Sequence, residues 1–190
     1  KTKQEITQLS HQIVQDFIDE GAKAILIACN TATSAAVDSL RETFSLPIIG
    51  MEPALKPALE QVPEGTILVL ATTYTLLHGR YKRLLDELGQ PDRFLGIAAP
   101  KLVRYVEQGI YDGDKIRHYL QEIVPDTSGI RAVVLGCTHF LYLKPAIRDF
   151  FGRDIPFFDA NEGTIRHLER QIEARTDGEG TVEIRNSHSQ

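Results

Sequence analysis

The chain has 190 residues, 42% hydrophobic and 25% charged, enough apolar material for one large domain or two small ones with their own cores. A formal charge of −5 with scattered lysines and arginines leaves no electrostatic footprint for nucleic acid, and no apolar run approaches the roughly 18 residues of a membrane span. There are only two cysteines, in near-identical contexts, which fits reactive thiols in a reducing cytoplasm better than a disulfide.

The chain opens in a helical pattern, with Ile6, Leu9, Ile13, Val14 and Phe17 at spacings of three and four, closed by Gly21. A strand over Ala24 to Ala28 leads to Cys29. A helix from about Thr33 to Phe44 and a short strand, Ile48 to Gly50, follow. Pro53 suits a first helical turn, with Glu52 before it as a helix-start carboxylate. Thr66 to Ala71 is a continuous apolar strand, followed by a helix to Leu88 capped by Gly89. Phe94 to Ile97 is a weaker strand. Helices over Lys101 to Gln108 and Asp114 to Val124 are separated by Gly109 and Gly113. The strand Ala132 to Leu135 precedes Cys137, and a helix runs from about Tyr142 to Phe151. A strand over Pro156 to Asp159, a helix over Thr164 to Arg175, a turn over Gly178 to Gly180 and a strand-like alternation over Thr181 to Arg185 complete the pattern. Short apolar strands alternating with longer helices predict an α/β fold with mostly parallel sheet, whose ligands bind at the carboxyl ends of the strands. Cys29, Thr72 and Cys137 all fall at such ends.

The two cysteine units repeat one design: an apolar strand, a small residue, Cys, then hydroxyl, amide or imidazole side chains. Two similar lobes, each a mostly parallel sheet flanked by helices, would bring one thiol each to a cleft between them. Helix starts after Cys29 and Cys137, and His139 beside the latter, predict thiols that ionise readily. Two thiols facing one carbon from opposite sides suit inversion of a stereocentre, one base taking a proton and the other returning one. Asn30, Thr31, Thr138 and His139, with the backbone N–H groups at the helix starts, are the donors available for charge that develops on the substrate. Thr72, Thr73 and Thr75 either line the cleft or cap the next helix. Two readings stay open on residues alone: buried strand-end cysteines, and a zinc site of Cys29, Cys137 and His139, although the close ligand pairs usual in zinc sites are absent.

Cys29-Asn30-Thr31-Ala32-Thr33 and Gly136-Cys137-Thr138-His139 closely resemble the two signature motifs of the glutamate racemases, members of the cofactor-independent Asp/Glu racemase family. Pro47 to Ala54, Ala71 to Thr75 and Leu102 to Glu107 extend the resemblance, which runs essentially end to end. It implies a pyridoxal-independent isomerase that interconverts L- and D-glutamate and supplies D-glutamate for peptidoglycan, hence cell-wall biogenesis and cell shape. By that resemblance Cys29 acts on D-glutamate and Cys137 on L-glutamate. Asn30, Thr31, Thr72, Thr138 and His139 hold the substrate, and His139 and Glu107 tune the Cys137 side. It implies no cofactor and no metal, a cytoplasmic location and a homodimer. The expected first lobe combines residues 1–50 with 159–190, and the second is 51–158.

The family's Asp-Ser-Gly motif on its first strand and its Pro-Tyr-Gly motif do not occur in these residues, and Ala99-Pro100 stands where many members have Cys-Pro. Lys1 aligns well inside a typical member, so these residues are expected to be part of a longer polypeptide, with the absent Asp and Ser beside Cys29. The alternatives are a racemase of aspartate or another acidic amino acid, and a truncated lobe that binds an acidic metabolite or a partner protein without catalysis.

Overall fold

Every strand pairing in the computed structural model, which describes residues 1–172 and 180–186, is parallel. The strands lie in two sheets flanked by helices.

The smaller sheet pairs β1 (Ile25–Ile27) with β2 (Ile48–Gly50). Helix α1 (Lys3–Asp19) begins with a capping box: Thr2 accepts from the Glu5 N–H, and the Glu5 carboxylate accepts from the Thr2 N–H at 2.6 Å. Helix α2 (Asn30–Thr43) packs Ala36, Val37 and Leu40 against Val14 of α1 and Ile48 of β2. The expected apolar face of α1 is only partly covered, since Val14 is buried while Leu9, Ile13 and Phe17 stay exposed.

The larger sheet has the order β4-β3-β5-β6, with β3 (Thr66–Ala71) and β5 (Ile130–Gly136) central, β4 (Phe94–Ala98) on one side and β6 (Phe157–Phe158) on the other. Helices cover both faces, which is why β3 and β5 read as unbroken apolar runs. Leu68 and Leu70 point toward α6 (Pro100–Glu107), α7 (Asp114–Ile123) and α8 (Lys144–Phe151). Ile67 and Val69 point toward α3 (Leu55–Gln61) and α5 (Gly79–Leu88). Each fully buried Leu, Ile or Val contributes about 1.5–3 kcal/mol of burial energy, so this double-sided core dominates the stability of the larger unit.

Several boundaries differ from expectation. The helix after β3 is two helices, α4 (Thr73–Leu77) and α5, because His78 turns extended between them, its N–H on Tyr74 O and its ring stacked 3.5 Å from the Tyr74 ring. Helix α3 starts after Pro53 rather than on it. The segment after Cys137 is a 3-10 turn, Thr138–Leu143, with α8 starting only at Lys144, where Pro145 sets the first turn. Helix α9 (Asn161–Gln171) starts early because Asp159 Oδ1 accepts from the Asn161 N–H at 3.1 Å. Thr181 to Arg185 forms no strand; Val182 and Ile184 are largely exposed, and no strand among the described residues pairs with them. The expected helical end at Arg175 and most of the Gly178 to Gly180 turn lie outside the described residues.

Candidate active site

The carboxyl ends of β1, β3 and β5 carry Cys29, Thr72 and Cys137. Helix α2 begins at Asn30, three residues earlier than expected, so Cys29 is itself the N-cap, and the Ala32 N–H donates to its Sγ at 3.5 Å. A thiol in this place replaces the usual Ser or Asp cap. Cys29 is exposed and Cys137 is buried, and neither is in a disulfide.

Cys137 departs from the readily ionised thiol that its sequence context predicts. Burial pushes it from its ordinary 9.0 up to about 11; the His139 and Phe140 N–H groups act in the opposite direction, and the charges of Cys29 and Glu107 add to the rise. The reason lies in two local features: the strand end is packed into the core of the larger sheet, and a 3-10 turn follows where an α-helix dipole was expected. His139 Nδ1 lies 3.7 Å from Cys137 Sγ, and its Nε2 lies 3.6 Å from Glu107 Oε1 at the end of α6. Cys137, His139 and Glu107 thus form one line from buried thiol to exposed carboxylate.

On the other side, Thr31 Oγ1 lies 2.9 Å from Thr72 Oγ1, which lies 3.0 Å from Thr75 Oγ1. Thr72 also caps α4 by accepting from the Thr75 N–H at 3.2 Å, so one hydroxyl both caps a helix and faces the first sheet's helix. Asn30 is buried, and its Oδ1 has no hydrogen-bond partner among the described residues, an arrangement that costs about 1–3 kcal/mol unless something accepts the role of donor. Thr138 is half-buried directly beside Cys137. The eight residues singled out from sequence therefore fall into two groups: Cys29, Asn30, Thr31 and Thr72 around the start of α2, and Cys137, Thr138, His139 and Glu107 around the end of β5.

Other residues that shape the site were not singled out. Thr33, buried in α2, accepts from the Met51 N–H at 3.0 Å and donates to Ile27 O at 3.4 Å, tying the ends of β1 and β2 to the helix. A Cβ on Gly50 would sit 2.5 Å from Thr33 Cγ2, and one on Gly136 would sit 2.8 Å from Ala71 Cβ, so the small residue before Cys137 is a packing requirement. Glu52 does not start a helix; it pairs with Arg80 of α5. A hydroxyl or glycine with a tertiary partner carries no periodic signal: the sequence marks Gly136 only as a small residue before Cys137, Thr33 and Gly50 only as parts of motifs, and Glu52 only as a helix-start carboxylate.

Residues 2–168 match the family model described as Asp/Glu/Hydantoin racemase. The chain is similar to the glutamate racemase of Clostridium perfringens strain SM101, 42% identical over 176 residues, covering 91% of this chain and 68% of that protein. It is similar to the glutamate racemase of Clostridium acetobutylicum, 38% identical over the same shares of each chain. Among solved structures it resembles the glutamate racemase of Thermus thermophilus in complex with beta-chloro-D-alanine, with a TM-score of 0.74 and 30% identity, covering 91% of this chain and 64% of that one. The Escherichia coli glutamate racemase in complex with L-glutamate and activator UDP-MurNAc-ala shares the fold, with a TM-score of 0.81 at 24% identity over 91% and 67% of the two chains.

Proposed function

This chain belongs to the Asp/Glu/Hydantoin racemase family, and on that premise we propose that it is a glutamate racemase that works through two thiols and no cofactor. The observation that carries the reading is the pair of unlike cysteines at matching strand ends, one exposed on a helix cap and one buried with its proton held. The glutamate racemases at about 40% identity support glutamate as the substrate.

In the D-to-L direction Cys29, as thiolate on the α2 N-terminus, takes the α-proton. Cys137, whose thiol keeps its proton through neutral pH, delivers one to the opposite face. The L-to-D direction exchanges the roles, with Cys137 as the base; the His139 and Phe140 N–H groups beside its sulfur favour the thiolate at that moment. The α-carbon is a very weak acid, so its developing charge needs donors: Thr31, Thr72, Thr138, His139 and the N–H groups at the start of α2 are the candidates for the carboxylates. The open Oδ1 of Asn30 suits the substrate ammonium.

In this reading residues 1–50 and those from 159 onward form one lobe and 51–158 the other, the substrate lying between them. D-Glutamate made in this way feeds peptidoglycan, and the cytoplasmic location and homodimer implied by the resemblance go with that role.

The test is turnover of L- and D-glutamate followed by circular dichroism, without added cofactor. Wild type racemises both, and Cys29→Ala and Cys137→Ala each fall by about 10³-fold or more, the scale of losing an essential acid or base. Absence of turnover in wild type, or full activity in either variant, overturns the reading; faster turnover of aspartate than of glutamate changes the substrate.

A further inference from the structure

We propose that Arg80 is a positioning residue for this site: it clasps α2 against the larger sheet's helices and so sets where Cys29 stands relative to Cys137. The proposal rests on the two-thiol reading above.

Two side-chain polar contacts join helix α2 to the larger unit. At its start, Thr31 Oγ1 is 2.9 Å from Thr72 Oγ1. Seven residues on, Asp38 Oδ1 accepts from Arg80 Nη1 at 2.8 Å, with Arg83 Nη2 3.4 Å from Asp38 Oδ2. Seven residues are two helical turns, so both contacts lie on one face, about 10 Å apart along the axis. A single contact at Thr31 would leave α2 free to pivot about the site; the second one removes that freedom. Arg80 also donates from Nε to Glu52, in the crossing segment between β2 and α3. One guanidinium therefore ties three segments together, and its side chain is only 20% exposed.

The charges agree with this geometry. Burial alone would raise the Asp38 carboxyl, yet Arg80 and Arg83 hold it below the usual range. A lysine offers no planar fork and cannot reach both carboxylates at once. Because ion pairs of this partial exposure contribute little to stability, the clasp acts mainly on geometry.

The experiment uses the full chain as Arg80→Met, Arg80→Lys and Asp38→Asn, with kcat and KM for both glutamate enantiomers and hydrogen exchange read by mass spectrometry. In Arg80→Met, kcat falls about 30- to 100-fold, the scale of an ångström of misplacement, while KM changes less than about 3-fold. Amide exchange rises in α2 and stays unchanged in β3 and β5. Arg80→Lys recovers part of the loss, and Asp38→Asn shifts both readouts the same way. Adding Asp38→Asn to Arg80→Met costs nothing further. Wild-type kcat with wild-type α2 exchange in Arg80→Met overturns the proposal, as does exchange raised equally through β3 and β5. If Arg80→Met does not fold, Arg80→Lys and Asp38→Asn carry the same readouts. Should wild type fail to racemise glutamate, the proposed function falls, while α2 exchange still decides whether Arg80 is the clasp.

Discussion

Cys29 and Cys137 look interchangeable as letters, and their surroundings differ. Cys29 sits in water on a helix cap; Cys137 is packed into a core that favours its neutral form. A two-thiol racemase needs one proton shared between them. The two enantiomers have equal free energies, so kcat/KM must be the same in both directions at every pH. Because burial raises Cys137, its protonated form persists as pH climbs through the ordinary thiol range and is lost only near its folded value. Once the titration of the free substrate's own ammonium is divided out, the alkaline limb of kcat/KM is therefore expected near pH 11, the apparent value belonging to the pair. A limb at about 8.5, where an unperturbed cysteine titrates, would mean that Cys137 is not the buried acid. The identity of both thiols was legible in the sequence from the matched strand–Cys contexts. The direction in which Cys137 titrates was not, because burial is a tertiary property.

At the level of elements, the strands and most helices follow from local pattern. The apolar runs of β3 and β5 and the 3.6-residue periodicity of α2, α6 and α7 leave one reading. Where packing overrides pattern, boundaries move: α2 starts at Asn30, His78 splits α4 from α5, and Cys137 opens a 3-10 turn. The alternation of Thr181 to Arg185 is a strand signal without a neighbouring strand among the described residues, and alternation alone supplies no hydrogen-bond partners. The strand end before Cys137 has no spare room. Gly136→Ala would bring a methyl to 2.8 Å from Ala71 Cβ and 3.1 Å from Leu70 O, both on the neighbouring strand. Overpacking of this kind costs about 1–3 kcal/mol, a fall in Tm of about 2–10 °C for a chain of this size, with racemase activity lowered because Cys137 shifts with the strand. Thermal unfolding by circular dichroism reads the first, and an unchanged Tm would show that β5 yields at no cost.

Across the whole molecule, the smaller sheet and the larger sheet have separate apolar clusters. Polar contacts join them: Thr31 with Thr72, and Asp38 with Arg80 and Arg83. None of these cross-unit pairs was legible in the sequence. Asp38 and Arg80 are polar positions on amphipathic helices, and partners 42 residues apart leave no local trace. This division explains why the fold class and the two thiols could be read from residues, while the parts that set the thiols' relation to each other could not.

The decisive measurement is the fate of the α-hydrogen when L-glutamate is turned over in D₂O, followed by NMR at low conversion. Two bases on opposite faces require that the D-glutamate formed carry solvent deuterium while the remaining L-glutamate keeps its proton, in wild type and not in Cys29→Ala or Cys137→Ala. Product that retains the substrate's own proton, or deuterium appearing in the remaining L-glutamate as fast as in the product, would point to a single base and contradict the two-thiol mechanism.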